Sequence, residues 1–406
     1  MDGELELMRS LAQKTESRIV LLVMDGVGDI PAVDLGGLTP LEAARTPNLD
    51  RLAPRAALGL IDPVMPGVTP GSGPGHTALF GYDPLAHLVG RGVLEGLGIG
   101  FEFTSSDVAA RFNFATVDGR GLLVDRRAGR IASGEAAALC ARLEDAIPSL
   151  DGVEVIVRPV KEHRGVVVFR GEGLGASLPD TDPQALGVPP LAPRGLDAAS
   201  DRTARAAAGF LGRASEVLRS EPKANAVLLR GFSRYDPLPS FSDVFRLDAA
   251  AIAVYPMYRG LARLAGMQVL DAGSTLADQA AALGHAWSRH DYFFVHVKKT
   301  DSCGEDGNAK GKVEVVEEVD RVLVPAILDL APDVLAITAD HSTPCALKSH
   351  SFHPVPLLLW SSTVRPDSIP RFTERDCARG GLGRLPGKHL MPLMMGYAGK
   401  LRKYGA

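Results

Sequence analysis

Three apolar runs, far apart in this chain, each stop on a carboxylate. Val20-Leu21-Leu22-Val23-Met24 ends at Asp25, Tyr292-Phe293-Phe294-Val295-His296-Val297 leads to Lys298 and Asp301, and Val334 to Ile337 leads to Asp340-His341. A strand buried on both faces reads as a continuous apolar run. The polar residues after it open into the crevice at the carboxyl ends of a parallel sheet. The three runs therefore predict strand ends that deliver Asp25, Asp301, Asp340 and His341 to one rim, with His350 a short way beyond. Carboxylates and imidazoles converging in this way suit divalent cations.

Strand-like runs alternate with helical patterns, as in Ala249 to Tyr255 followed by Tyr258 to Leu264, which argues for an α/β fold with a mostly parallel sheet flanked by helices. At 406 residues the chain is long for one core. Between about Leu88 and Phe241 its character changes: strands such as Gly165-Val166-Val167-Val168-Phe169 sit beside Pro- and Gly-rich loops such as Leu178 to Gly195. Turn-rich sequence marks both ends, Gly81-Tyr82-Asp83-Pro84 and Asp236-Pro237-Leu238-Pro239. The expected organisation is a core domain of residues 1–87 and 242–406 with an inserted α+β domain at 88–241.

A formal net charge of −4 carries no basic stripe for nucleic acid and no polybasic patch for a membrane surface. The first residues, Met1 to Glu6, are acidic where a secretory signal is basic and then apolar, and no apolar run approaches the length of a membrane helix. These features predict a cytoplasmic protein with no nucleic acid or membrane partner. The four cysteines, Cys140, Cys303, Cys345 and Cys377, lack paired metal spacing and read as small buried hydrophobes.

The candidate nucleophile lies in Thr69-Pro70-Gly71-Ser72-Gly73-Pro74-Gly75-His76-Thr77-Ala78-Leu79-Phe80. Glycines around Ser72 allow close ligand approach, and the residues after it predict a helix whose unpaired N–H groups would face an anion on the serine. A serine hydroxyl becomes a useful nucleophile when a divalent cation removes its proton. Gly-Ser-Gly alone is commonest as a plain turn; three carboxylate-bearing strand ends beside it change the reading.

Taken together, Met24-Asp25-Gly26-Val27-Gly28-Asp29, Thr46-Pro47-Asn48-Leu49-Asp50, the Gly71 to Pro84 segment, Gly90-Arg91-Gly92, Asn113 to Asp118, Asp125 to Arg130 and Asp340-His341-Ser342-Thr343-Pro344 carry a family resemblance. The chain resembles the cofactor-independent phosphoglycerate mutases of the archaeal type, within the alkaline phosphatase superfamily. That resemblance implies an alkaline-phosphatase-like core. It also implies interconversion of 3-phosphoglycerate and 2-phosphoglycerate through a phosphoserine, with two divalent metal ions and no bisphosphoglycerate. Manganese is the expected ion, with magnesium, cobalt or zinc as alternatives. By motif match, Asp25, Ser72, Asp340 and His341 are expected to hold one ion, and Asp301 and His350 the other.

Two departures stand out. The family pattern Asp-x-x-Gly-His reads Asp301-Ser302-Cys303-Gly304-Glu305 here, so Glu305 is expected to ligate in place of the histidine and to favour a hard ion; the alternative is Glu305 turned to solvent, with a weak second metal and His353 as the substitute. Gln279 sits near the place of a family lysine, leaving Lys298, which matches the strand-end lysine, as the expected catalytic cation. A small phosphorylated substrate bearing a carboxylate also needs arginines. Candidates in the insert are Arg111, Arg126, Arg127, Arg164, Arg230 and Arg234. Of these, Arg126, Arg164, Arg230 and Arg234, with Asp125, are expected to line the substrate pocket. His76 is expected to be structural or to support the site, and His163 to be a loop histidine with a possible acid–base role. A metal-dependent phosphomonoesterase or phosphonate hydrolase is the competing reading.

Overall fold

The computed structural model describes residues 3–87 and 89–405 and divides into two compact units, Met1–Leu88 with Leu238–Ala406, and Val89–Pro237. Residues 238–241, placed by the sequence reading in the insert, belong to the first unit. The Phe241 ring packs against Phe80, Phe245 and Tyr292 at centroid distances of 5.8, 5.1 and 5.1 Å, so its burial ties this segment to that core.

The first unit is built on an eight-stranded sheet. Its order is Gln268–Val269, Ala249–Ile252, Tyr292–Val297, Ile19–Met24, Val334–Thr338, Val355–Ser361, Ala57–Asp62 and Gly383–Pro386. Val355–Ser361 runs antiparallel to both neighbours, and the other pairings are parallel. Every residue of Tyr292–Val297, Ile19–Met24 and Val334–Thr338 is buried, which is why these strands read as unbroken apolar runs. Met24 pairs with Val297 and Val23 with Thr338, so Asp25, Lys298 and Asp340 emerge side by side at one sheet edge.

The second unit carries a six-stranded sheet with antiparallel pairing. Helices Ser133–Ala146 and Ala198–Val217 cover one face, where Phe112, Phe114, Phe169, Leu143 and Phe210 form its core. Among the described residues no helix is long and apolar enough to cross a membrane. The four cysteines are unpaired; Cys140, Cys345 and Cys377 are buried and Cys303 is half-buried.

Candidate active site

Ser72 opens the Ser72–Leu79 helix, after Gly71 in extended conformation. A side chain at Gly75 would overlap the Asp340 carbonyl oxygen, so that glycine lets the helix lie directly on the end of the Val334–Thr338 strand. Gly26 takes φ +62° beneath Thr343 and Asp301, where any Cβ would collide with both side chains. These two contacts draw four chain segments to one point. Asp25, Asp301, Asp340 and His341 are fully buried there, with Ser72 7% exposed.

Hydrogen-bond partners determine which nitrogen of each histidine is free. Thr343 Oγ1 donates to Asp301 Oδ1 at 2.6 Å, so its remaining capacity accepts from His341 Nδ1 at 2.9 Å. His341 Nε2 is then the lone-pair nitrogen. It accepts from the Ser72 hydroxyl at 3.2 Å and lies 3.3 Å from Asp25 Oδ1 and 3.2 Å from Asp340 Oδ2. His350 follows the same logic, since Nδ1 lies 3.0 Å from the carbonyl acceptor of Pro70, leaving Nε2 free at 3.7 Å from Asp301 Oδ1. Its ring stacks on His341 at 3.5 Å between centroids.

Both carboxylate oxygens of Asp25, and Asp340 Oδ2, complete no hydrogen bond among the described residues, although Lys298 and His296 stand 3.3 and 3.2 Å from Asp25 Oδ2 and His76 3.1 Å from Asp340 Oδ2. Buried carboxylates left in that state are costly unless something cationic completes them. Burial works against the charge on Asp25, but Lys298, His296 and His341 outweigh it and hold the carboxyl well below its usual range. The donor set therefore fits divalent cations. Asp25, Asp340 and His341 bring ligand atoms together in one group, and Asp301, His341 and His350 in another. In the second group the nitrogen that His341 turns towards Asp301 is its protonated Nδ1, 4.0 Å away. The donors left to it are Asp301 and His350.

Glu305 stands outside both groups. The Lys299–Asp306 helix buries Thr300, Asp301 and Gly304, while Glu305 is exposed. At about 100° per residue it falls just past Asp301, on the side away from the buried arc. Alanine at Glu305 is accordingly expected to leave metal stoichiometry and affinity unchanged in calorimetric titration. Loss of one ion would restore it as a ligand.

Lys298 ion-pairs with Asp301 and lies 3.3 Å from Asp25 Oδ2. Burial alone would lower its pKa, but Asp25 and Asp301 reverse that and hold the ammonium firmly protonated. Gln279, in the place of the family lysine, is buried and donates to the His296 carbonyl at 2.9 Å. It fastens a helix to a strand and supplies no charge.

In the second unit several arginines depart from their expected roles. Asp125 accepts from the N–H groups of Arg127 and Gly129 at 2.7 and 2.6 Å, so its carboxylate secures a turn. Arg126 forms a two-pronged pair with buried Asp182, both contacts at 2.7 Å. Arg230 binds Asp180 at 3.1 Å and pairs across strands with Arg111, whereas Arg234 pairs with Val108. The register shifts between those two pairings, where Gly231 has φ +62°, and this bulge turns Arg234 to the face opposite Arg230. Arg234 is exposed there, donating to the Ser105 carbonyl at 3.2 Å.

What the structure does gather is Arg111, Arg164 and Arg230, together with Arg91. Burial lowers the Arg111 pKa to about 10; Glu95 opposes that fall and the other three guanidinium groups deepen it. Glu95, 3.6 Å from Arg111, is nearly fully buried among them. The sequence signal for Arg91 and Glu95 was their place on an amphipathic stretch directly after Gly90, which no charge count reveals. His163 is buried beside this group, with its pKa pushed down to about 4 by burial and by Arg164.

A sequence model of the 2,3-bisphosphoglycerate-independent phosphoglycerate mutases matches residues 53–224. A protein of Thermus thermophilus named "Probable 2,3-bisphosphoglycerate-independent phosphoglycerate mutase" is 55% identical over 403 residues, covering 98% of this chain and 99% of its own. The chain belongs to this mutase family. A relative of the same name from Thermotoga petrophila is 52% identical over 401 residues, spanning 99% of both chains. Among solved structures, the PH0037 protein from Pyrococcus horikoshii aligns with TM-score 0.83 at 31% identity, over 97% of this chain and 100% of that one. The cofactor-independent phosphoglycerate mutase from Thermoplasma acidophilum aligns with TM-score 0.70 at 32% identity, over 94% and 100%. Membership in this mutase family covers both units, since the alignments run through nearly the whole chain.

Proposed function

We propose that this chain is a cytoplasmic isomerase that interconverts 3-phosphoglycerate and 2-phosphoglycerate by parking the phosphoryl group on Ser72, without added bisphosphoglycerate. The observation that carries the reading is the Ser72 hydroxyl 3.2 Å from His341 Nε2, beside the unpartnered carboxylate oxygens of Asp25 and Asp340. Asp25, Asp340, His341 and Ser72 would hold one divalent cation, and Asp301 with His350 a second. The carboxylate and hydroxyl donors suit manganese, and the imidazoles keep zinc and cobalt as alternatives.

Bound there, the cations would supply Lewis acidity, acidifying the serine hydroxyl and offsetting charge on the phosphoryl oxygens. The protein's own groups do the rest. Ser72 supplies the oxygen that forms the new ester bond as the substrate's ester bond breaks, and the helix it opens presents N–H groups to the bound anion. Lys298 adds a fixed positive charge beside Asp25 and Asp301. Retaining the glycerate between the two transfers needs a cationic pocket for its carboxylate. Arg111, Arg164 and Arg230, with Arg91, are the groups chemically suited to that.

The direct test supplies 3-phosphoglycerate to manganese-loaded protein and follows 2-phosphoglycerate and free phosphate together. The expected result is 2-phosphoglycerate with little phosphate release. Free phosphate alone would replace the mutase reading with a phosphomonoesterase.

A further inference from the structure

Two buried histidines lie behind the metal-site carboxylates and belong to neither donor group. His76, fully buried, sits one turn beyond Ser72, with Nδ1 2.8 Å from the Ser72 carbonyl oxygen and 3.1 Å from Asp340 Oδ2. Both neighbours only accept, so Nδ1 carries a proton. His296, 1% exposed, projects from the Tyr292–Val297 strand and places Nε2 3.2 Å from Asp25 Oδ2, an acceptor that favours the proton on that nitrogen. The rings lie 5.1 Å apart. Tyr258, fully buried, stacks on His296 at 3.8 Å, and Gln279 pins the His296 backbone.

Apolar packing does not account for this arrangement. A buried imidazole is a poor filler when Phe80 and Phe294 occupy the same cluster, and both nitrogens of His296 and Nε2 of His76 find no hydrogen-bond partner. What the two rings have in common is a nitrogen close to a carboxylate oxygen, 3.1 Å at His76 and 3.2 Å at His296. On Asp25 that oxygen is Oδ2, the one facing away from His341.

We propose that His76 and His296 are positioning residues for the cation held by Asp25, Asp340, His341 and Ser72. Each directs an N–H at one carboxylate, limiting its rotation and offsetting its charge, so that the donor atoms stand ready before the ion arrives. His76 does more, since its N–H bonds the Ser72 carbonyl while standing 3.1 Å from Asp340 Oδ2, and so ties the nucleophile's helix to a place beside the ligand. Groups behind metal ligands commonly contribute about 10- to 100-fold to affinity.

The inference rests on the metal-binding reading above, and titration separates the two. Chelator-treated full-length protein is titrated with Mn2+ by calorimetry, with thermal unfolding of each metal-free variant alongside. H296F keeps the stacked ring but removes the N–H, and H296Q returns a donor near the same place; H76F and H76N do the same at the other position. Both Phe variants are expected to weaken the tighter manganese site by roughly 10-fold or more. The Gln and Asn variants are expected to recover most of that loss, whatever the change in unfolding temperature. Equal affinity in wild type and Phe variants overturns the inference, and so does a Gln or Asn variant no better than its Phe counterpart. Wild-type protein that binds no manganese overturns the metal reading itself. Should one variant fail to fold, the pair at the other histidine decides.

Discussion

Ser72→Ala is expected to reduce conversion of 3-phosphoglycerate by on the order of 10⁴- to 10⁶-fold, the range seen when an enzyme loses its nucleophile. The size of the effect follows from the absence of a substitute. The nearby Thr343 hydroxyl is committed to Asp301 at 2.6 Å and to His341 at 2.9 Å. Water could attack in place of serine, but that route gives phosphate and glycerate rather than the isomer. Stability should change by only about 1 kcal/mol, because alanine fits the start of the helix and removes the hydrogen bond from Ser72 to His341 Nε2. The check is turnover by coupled assay together with intact-protein mass after acid quench. Wild type should carry a phosphoryl adduct and the variant none. Residual isomerisation above about 1% of wild type would sink the phosphoserine route.

Asp340→Asn should separate the metal-free from the metal-loaded protein by the size of its effect. Asp340 Oδ2 and Asp25 Oδ1 stand 3.2 and 3.3 Å from the same nitrogen and both carboxylates are fully buried; burial and Asp25 work against the charge on Asp340, but His341 and His76 outweigh them and hold its carboxyl below the usual range. Without a cation the neutral amide loses those attractions and is relieved of the repulsion from Asp25, so the variant should unfold at the same temperature as chelated wild type or somewhat lower. With manganese the gap widens. A ligand present at about 100 times its dissociation constant adds roughly 2.7 kcal/mol to the native state, and the variant should forfeit most of that. Turnover should fall by about 10²- to 10³-fold or more, the scale for removing one electrostatic stabiliser. Thermal unfolding with and without manganese provides the measurement. An equal upward shift in both proteins would remove Asp340 from the site.

The parts of this molecule legible in its sequence are those where one physical requirement dominates. Ile19–Met24, Tyr292–Val297 and Val334–Thr338 are covered on both faces, so their apolar runs show both the strands and the place where each one stops. Those stops and the motif name Asp25, Asp340, His341 and His350, which the structure gathers. Glu305 lies exposed outside both groups, because a place in a motif says nothing about which side of a helix reaches the centre. Arg126 and Arg234 are held by contacts that no motif shows. One is claimed by Asp182, distant in sequence, and the other is turned over by a single bulged glycine. His76 could be read from the sequence only as far as a structural or supporting place, and His296 not at all, since their significance lies in which nitrogen faces which oxygen.

The insertion of Val89–Pro237 into the first unit governs how the chain emerges from the ribosome. Ile19–Met24 is synthesised early, yet both its sheet partners, Tyr292–Val297 and Val334–Thr338, come from the far side of the insert. The second unit is continuous and can complete its own sheet while that strand still lacks both neighbours. Until the last third of the chain is made, one of the most hydrophobic segments of the molecule has two open hydrogen-bonding edges. Distant pairings of this kind slow folding and leave nascent chains open to association. The arrangement that brings Asp25, Asp301 and Asp340 together thus leaves the growing polypeptide open to association until that rim can form.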